Sequence, residues 1–189
     1  THKMTLSAIS VKDFDFAASN TSCSMYDSYG NVWVGVYLKG VMMKPMGQSV
    51  FEYIGQNSIT KNTIGANSVF AMAEAKGQPG FENGMWVAVS NEGLYLLTSD
   101  GARSKHWSVQ DVPSMPSSFT AVLNHDPSTV LLGTFLQGLW QMKEGRFVLL
   151  TKEINMIFDI QPAKEDDCFW ISTIGAGVFY YNLKTGKFL

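Results

Sequence analysis

The chain has 189 residues, of which 46% are hydrophobic and only 16% are charged, and its formal net charge is −2. A chain of this length suits one domain with a sizeable core. The near-neutral charge provides no basic surface for nucleic acid, and no apolar run approaches the roughly 18 residues that a membrane helix needs, so we expect neither nucleic-acid binding nor membrane insertion by this segment.

A unit of two hydrophobic strands recurs four times along the chain. In each copy a large residue stands seven positions before a glycine, in the pairs Trp33 and Gly40, Trp86 and Gly93, Leu131 and Gly138, and Trp170 and Gly177. The large residues are 53, 45 and 39 positions apart. Self-similarity at a period of about 40–45 residues is typical of blade repeats.

Each repeat resolves into four short strands, a to d, joined by turns that contain Gly, Asn, Ser or Pro. In chain order, the predicted strands are Ser22–Tyr26, Val32–Tyr37, Val41–Lys44 and Val50–Ile54; Ser68–Ala73, Trp86–Val89, Leu94–Leu97 and Ser104–Trp107; Phe119–Leu123, Val130–Thr134, Leu139–Met142 and Phe147–Leu150; and Ile157–Gln161, Phe169–Thr173, Val178–Tyr181 and Lys187–Leu189. The long a–b connection of the second repeat, Glu74–Gly84, is interpreted as a surface insertion. No segment has sustained helical periodicity, so we expect almost no helix.

These elements predict an all-β fold, a β-propeller segment with four antiparallel four-stranded blades, as part of a larger seven-bladed propeller. The blades are expected at about residues 20–55, 67–108, 118–151 and 156–189. Residues 1–19, with a possible strand at Met4–Ile9, are interpreted as the end of a preceding blade or a lead-in. Whether four blades close alone or form an open arc stays open, and we expect the arc.

The large residues and the glycines are interpreted as structural anchors of the blades. A tryptophan on strand b fills the space between neighbouring blades, and a glycine at the b–c turn permits a tight reversal. The alternative, that Trp33, Trp86 and Trp170 are stacking platforms for sugars, has less support, because large aromatic residues at repeated strand positions usually pack in cores.

At these residues the chain resembles the two-component-regulator propeller repeat, in which an acidic residue, a Gly-Asn turn, a Leu-Trp-Ile-Gly-Thr strand and a Gly-Leu-aromatic strand follow one another. The first repeat, Asp27-Ser28-Tyr29-Gly30-Asn31-Val32-Trp33-Val34-Gly35 followed by Gly40-Val41, is a near-complete match. Trp86-Val87-Ala88 with Gly93-Leu94-Tyr95, Leu132-Gly133-Thr134 with Gly138-Leu139-Trp140, and Trp170-Ile171-Ser172-Thr173 with Gly177-Val178-Phe179 match well. The resemblance covers about residues 20–189.

This resemblance implies the periplasmic sensor region of a hybrid two-component histidine kinase of the kind found in Bacteroidetes. It implies a segment that binds an oligosaccharide without altering it and signals to a kinase outside this chain. The implied partners are the oligosaccharide, the remaining propeller blades, the kinase module and a second subunit of a homodimer. No cofactor is implied, and the segment itself is expected not to be an enzyme.

The b–c turns are the candidate ligand-contacting elements, because they share one face of a propeller with the connections between blades and differ from repeat to repeat. Tyr37 and Phe135 are candidates for stacking on a sugar ring. Lys39, Asn91, Glu92 and Gln137 are candidates for hydrogen bonds to its hydroxyl or acid groups. The alternatives are that these are ordinary turn residues in solvent, or that they contact other blades.

Other chemistry finds little support in the sequence. The loop from Asp27 to Asn31 lacks the ligand spacing of an EF-hand, and no His or Cys spacing suits zinc, so no metal site is predicted. No nucleophile motif is present. Two alternative functions stay open: a structural or protein-docking propeller without a small ligand, and a propeller lyase or glycosidase. A glycosidase needs two paired carboxylates, for which Glu74, Glu82, Glu92 and Asp100 are available without a pairing signal.

Overall fold

The computed structural model describes residues 10–11, 14–15, 19–44, 46, 52–54, 64–65, 68–99 and 104–188, and all regular structure among them is β. The predicted strand Met4–Ile9 lies outside the described residues. The described part of the N-terminal segment is a short antiparallel hairpin of β1 (Ser10–Val11) and β2 (Phe14–Asp15). None of the described residues forms a helix that is long and apolar enough to cross a membrane.

Four antiparallel four-stranded sheets follow, so the predicted fold class is confirmed. The first blade contains β3 (Thr21–Tyr26), β4 (Val32–Val36), β5 (Gly40–Lys44) and β6 (Glu52–Ile54). The second contains β7 (Val69–Ala75), β8 (Gly84–Val89), β9 (Gly93–Leu97) and β10 (Ser104–Trp107). The third contains β11 (Ala121–Asp126), β12 (Thr129–Gly133), β13 (Leu139–Lys143) and β14 (Arg146–Thr151), and the fourth contains β15 (Ile157–Pro162), β16 (Cys168–Thr173), β17 (Gly177–Asn182) and β18 (Lys187–Phe188).

Successive blades contact one another through their first strands, since β3 contacts β7, β7 contacts β11, and β11 contacts β15. No comparable contact joins the described strands of the first and fourth blades. Two of these boundaries are also bridged by hydroxyl groups: Ser22 donates to the Val69 carbonyl at 2.8 Å, and Thr120 donates to the Ile157 carbonyl at 2.5 Å. The described blades therefore form an arc in which each blade packs on the next.

Three hydrophobic clusters fill the three boundaries between blades. Trp33 on β4 is fully buried against β7, β8 and β9 of the second blade, and Trp86 on β8 is buried against the third. Leu131 on β12 is buried against Ile157, Ile160, Phe169 and Ile171 of the fourth blade. The strand-b residue of each of these blades thus occupies the face that meets the following blade, as expected for a residue that fills the space between sheets.

Trp170 differs from the other three anchors, because 48% of its surface is exposed. It occupies the same register position: Trp170 pairs with Tyr180 and Ser172 with Val178, as Trp33 pairs with Met43 and Gly35 with Val41. Val178 is 64% exposed, whereas Val41, Leu94 and Leu139 at the equivalent position are fully buried. The physical reason is that no described blade lies against this face, which we call the outer face of the fourth blade.

Candidate functional site

The b–c turns lie against the connections between blades, so both belong to one face of the arc, which we call the b–c face. At the third blade, the Met156 amide donates to the Phe135 carbonyl at 2.6 Å. At the second blade, the Asn91 amide donates to the Ser118 hydroxyl at 2.8 Å, and the Gly65 amide donates to the Glu92 carboxylate at 3.0 Å. The sequence-predicted residues Tyr37, Lys39, Asn91, Glu92, Phe135 and Gln137 therefore stand on three successive turns of this face.

Exposed apolar side chains dominate the tips of these turns. Tyr37 and Phe135, the two residues predicted to stack on a ligand, are about half exposed. Leu38, Leu136 and Ile174 on the same set of turns are exposed as well. The face thus offers aromatic rings for stacking and aliphatic groups that suit contact with another apolar surface.

Glu92 is more deeply involved in the protein's own structure than the sequence indicates. Its Oε2 accepts hydrogen bonds from the Gly65 amide at 3.0 Å and from the Tyr95 hydroxyl at 2.8 Å. Burial raises the pKa of Tyr95, and the bond to Glu92 raises it further. The His106 ring stacks on Tyr95 with 3.9 Å between centroids. Glu92 therefore ties its b–c turn to a neighbouring connection.

The remaining polar candidates also have partners within the protein. Lys39 Nζ donates to the Ser19 hydroxyl at 2.8 Å. The backbone amide of Gln137 donates to Thr134 Oγ1 at 2.9 Å, and the backbone carbonyl of Gln137 accepts the indole N–H of Trp140 at 2.7 Å. These two bonds stabilise the turn and do not involve the side-chain amide of Gln137.

The opposite face carries the a–b and c–d turns, and Asp27 organises its first loop. Oδ1 of Asp27 accepts the amides of Tyr29 and Asn31 at 3.0 and 2.9 Å. Oδ2 accepts the Asn31 side chain at 2.7 Å and the indole N–H of Trp33 at 3.0 Å. The acidic residue of the repeat is therefore a structural group that holds the a–b loop to the anchor. All four contacts are with protein donors, and among the described residues no group of three or more His, Cys, Asp or Glu is arranged to hold a metal ion.

A second polar group on this face joins the third and fourth blades. His125 Nε2 lies 2.8 Å from Asp167 Oδ1, and Lys184 Nζ lies 2.7 Å from Asp167 Oδ2. The bonds from Lys184 and His125 hold the pKa of Asp167 below its ordinary value. His125 also meets the ring of Phe169 edge to face, with centroids 5.1 Å apart. The acidic run Glu165–Asp167 thus contributes one carboxylate to a blade-to-blade contact.

A cleft with a volume of about 530 Å³ opens between the a–b loops of the first and second blades. It is lined by Ser28, Tyr29, Glu74, Ala75, Lys76, Gly77, Gln78, Pro79, Glu82 and Asn83. Glu74 and Glu82 were named only as carboxylates available to a glycosidase, and the other lining residues were not predicted to contact a ligand. The signal in the sequence was the unusual length of the a–b connection of the second repeat. We refer to this feature as the blade 1–2 cleft.

Two carboxylates named for a glycosidase, Glu74 and Glu82, line this cleft together. Glu74 accepts a hydrogen bond from the Ser28 hydroxyl and lies 3.8 Å from Lys76 Nζ. Glu82 accepts the Gly80 amide at 3.1 Å. Both carboxylates thus already have partners within the protein, a hydroxyl and an ammonium group for Glu74 and a backbone amide for Glu82.

Comparison with known proteins identifies structural neighbours only. No protein-family model matches the sequence, and no curated protein matches it. Among solved structures, the extracellular domain assigned to the hybrid two-component system BT3049 of B. thetaiotaomicron aligns with 99% of this chain at a TM-score of 0.78 and 16% identity. The extracellular domain assigned to the hybrid two-component system BT4673 of the same organism aligns with 93% at a TM-score of 0.66 and 18% identity.

The chain spans only about a quarter of these two extracellular domains, 25% and 22% of their lengths. A computationally designed protein, Ika4, also shares the fold, at a TM-score of 0.61 with 8% identity, 95% of this chain and 99% of that chain being covered. The neighbours thus include the type of sensor region that the repeat residues resemble. At these identities the likeness establishes the propeller fold and leaves function to be argued from the surface.

Proposed function

We propose that this chain is a ligand-sensing propeller segment from the periplasmic part of a hybrid two-component histidine kinase. The observation that carries the proposal is the alignment of 99% of the chain, at a TM-score of 0.78, with an extracellular domain assigned to such a system. The near-match of all four repeats to the two-component-regulator pattern supports it independently. The kinase module and the membrane anchor belong to the rest of the parent protein.

The proposed ligand is an oligosaccharide that binds without being altered. Tyr37 and Phe135 on the b–c face supply stacking surfaces. Polar groups come from the same set of turns, through Lys39, Asn91, Glu92 and Gln137. A ligand shifts a two-state equilibrium only by its differential affinity for the states, so signalling requires a site whose geometry changes with the packing of blades or subunits. The hydrogen bonds between the b–c turns and the connections between blades support such a coupling.

The outer face of the fourth blade is proposed to take a further blade of the same repeat type. Its register reproduces the three internal faces, and its equivalent positions are buried in each of them. A following blade would cover Trp170 and Val178 as the second blade covers Trp33 and Val41. This supports a larger propeller. We further propose a homodimer of the parent protein as the signalling unit.

Thermal unfolding of the chain against a panel of purified oligosaccharides tests the proposal. A ligand that binds only the folded state raises the melting temperature, by an amount equivalent to about 2.7 kcal/mol at a concentration of 100 Kd. We expect a selective rise with one glycan class, which Tyr37→Ala and Phe135→Ala reduce and the control Tyr26→Ala, in an exposed strand position of the first blade, leaves unchanged. No rise with any glycan would contradict sensing by this segment.

A docking propeller without a small ligand is the second candidate, and the apolar tips of the b–c face favour it. Leu38, Leu136 and Ile174 are exposed in turns where solvated residues are usual. In that case the chain does not respond to sugars, and it associates through this face. Sedimentation velocity of wild type and of Leu136→Lys separates the two functions, since only docking predicts association that the charge abolishes.

A further inference from the structure

The walls of the blade 1–2 cleft are held in place before any ligand arrives. On one side, Asp27 fixes the loop that carries Ser28 and Tyr29 through its bonds to the Tyr29 and Asn31 amides. On the other side, the Gln78 side chain donates to the Pro127 carbonyl of the third blade at 2.6 Å. Turn bonds from the Phe81 amide to the Gln78 carbonyl and from the Gly84 amide to the Phe81 carbonyl close the long a–b connection. Binding to such a preformed site costs little ordering entropy.

The lining combines one aromatic ring with donors and acceptors of both kinds. Tyr29 is about half exposed at the rim. Carboxylates (Glu74, Glu82), side-chain amides (Gln78, Asn83), a hydroxyl (Ser28) and an ammonium group (Lys76) surround the space. Their formal charge sums to −1, which disfavours phosphate and other anions. Paired donors and acceptors beside an aromatic ring suit a compact molecule with many hydroxyl groups, which presents C–H faces to the ring and O–H groups to the rim.

The size of the cleft fits such a molecule. About 530 Å³ lies within the range of roughly 300–1,000 Å³ typical of small-molecule sites. A neighbouring cleft of about 290 Å³, between the second and third blades, is lined by Trp86, Trp107, Lys105 and Glu144. Gln78 lines both clefts, so a linear ligand that fills the larger one can extend past this side chain into the smaller one.

We propose that the blade 1–2 cleft is a second binding site, which takes a neutral or amino sugar and spans the boundary between the first and second blades. The ligand class follows from the lining of the cleft, and the site lies on the face opposite the b–c turns. It is therefore separate from the proposed oligosaccharide site, and either site can fail without the other. Because its walls come from two blades, an occupied cleft stabilises the boundary that Trp33 fills.

Saturation-transfer NMR and calorimetric titration of the chain test the proposal with defined probes: D-glucose, D-glucosamine, N-acetylglucosamine, cellobiose and cellotriose. We expect at least one probe to bind, the trisaccharide more tightly than the monosaccharide of the same series. Tyr29→Ala is expected to weaken binding about tenfold, through loss of the stacked ring. Gln78→Ala is expected to weaken the trisaccharide more than the monosaccharide.

The matched control is Tyr26→Ala, an exposed tyrosine of the same blade that lies outside the cleft and is expected to bind the probes as wild type does. Tyr37→Ala on the b–c face shows instead whether a probe occupies the proposed oligosaccharide site. Melting temperatures without sugar show whether each variant is folded. Absence of binding by all five probes overturns the proposal, as does binding that Tyr37→Ala weakens and Tyr29→Ala leaves unchanged. The latter result leaves the proposed b–c site intact, as does a melting shift with longer oligosaccharides when the five probes do not bind.

Discussion

The indole N–H of Trp86 donates to Asn124 Oδ1 at 2.7 Å across the boundary between the second and third blades. Both groups are buried. The Asn124 amide nitrogen in turn donates to the Asp126 carbonyl at 3.0 Å and reaches the Lys76 carbonyl at 3.4 Å. In the first blade, the indole N–H of the equivalent Trp33 donates to Asp27 of the same blade. The equivalent indole N–H groups therefore find their acceptors in different places: that of Trp33 within its own blade, and that of Trp86 in the next blade.

Asn124→Ala is expected to lower the free energy of unfolding by about 1–3 kcal/mol, because it leaves the buried Trp86 N–H without an acceptor. Asn124→Asp keeps the acceptor for the indole but places a carboxylate oxygen opposite the Lys76 and Asp126 carbonyls, so it is expected to lower stability as well. Urea unfolding followed by tryptophan fluorescence measures both. Asn20→Ala, at an exposed asparagine, is the control and should match wild type. Equal stabilities of Asn124→Ala and Asn20→Ala would show that water satisfies the indole.

Truncation of two equivalent tryptophans is expected to have unequal cost. Trp86→Ala should lower stability by about 3–5 kcal/mol, as for a fully buried aromatic residue. Trp170→Ala should lower it by no more than about 1.5 kcal/mol, since the main contact of Trp170 is edge to face with Tyr180 at 4.5 Å. Chemical unfolding of both variants compares them, with the wild type as reference. Similar losses would mean that something covers the outer face of the fourth blade in solution.

Two glycines of the b–c turns separate backbone strain from steric clash. Gly138 and Gly177 have similar positive φ angles, +82° and +86°, so alanine costs each roughly 1–2 kcal/mol in backbone strain. A Cβ at Gly138 would lie 2.1 Å from the Thr151 carbonyl oxygen, whereas at Gly177 no described atom lies within 4 Å. Gly138→Ala is therefore expected to lose about 1–3 kcal/mol more than Gly177→Ala. Thermal unfolding decides, and equal losses would contradict the clash.

The Asp167 contacts predict a specific acid sensitivity. The pKa of Asp167 is depressed from 3.8, first by Lys184 and then by His125. A carboxyl group with a depressed folded pKa stabilises the fold at pH values above its unfolded pKa, and that contribution is lost as the pH falls through the lower folded value. Below about pH 4, wild type is thus expected to lose stability more steeply than Asp167→Asn.

Urea unfolding across a pH series measures this difference. Asp166→Asn changes the neighbouring exposed carboxylate, which makes neither of the two bonds, and serves as the control. Parallel pH curves for wild type and Asp167→Asn would show that the exposed contacts are screened by solvent.

The repeat pattern was sufficient to predict the strands because it reports which side of a strand is buried. The seven-residue offset from Trp33 to Gly40 fixes a strand, a tight turn and the start of the next strand. The same pattern could not predict that Trp170 is half exposed. It indicates on which side of the sheet a side chain lies, and it carries no information on whether another blade covers that side. The fold class could therefore be predicted from the sequence, whereas the closure of the four blades into a ring could not.

The candidate site was less accessible, because side-chain partners come from distant parts of the chain. Glu92 looks like a free turn carboxylate in the sequence, yet its partner Gly65 lies 27 positions away. Asn124 stands in an ordinary turn sequence, and its partner Trp86 is 38 positions away. The blade 1–2 cleft combines loops from different repeats, which are joined by the hydrogen bond from Ser28 to Glu74. The residue types indicated polar contacts, but which groups contact one another depends on how the blades pack.

The described blades have the contact pattern of a one-dimensional array, because each packs on its neighbours along the chain. Each boundary joins two different surfaces, the anchor face of one blade and the opposite face of the next, so the array has a direction. In such arrays stability is approximately a sum of unit and interface terms, and a terminal unit lacks one interface. The first and fourth blades each have one described interface and the second has two, so amide hydrogens of β16 and β17 should exchange faster than those of β8 and β9. Any group that packs against Trp170 would then add an interface to the fourth blade and make the unfolding of the whole array more cooperative.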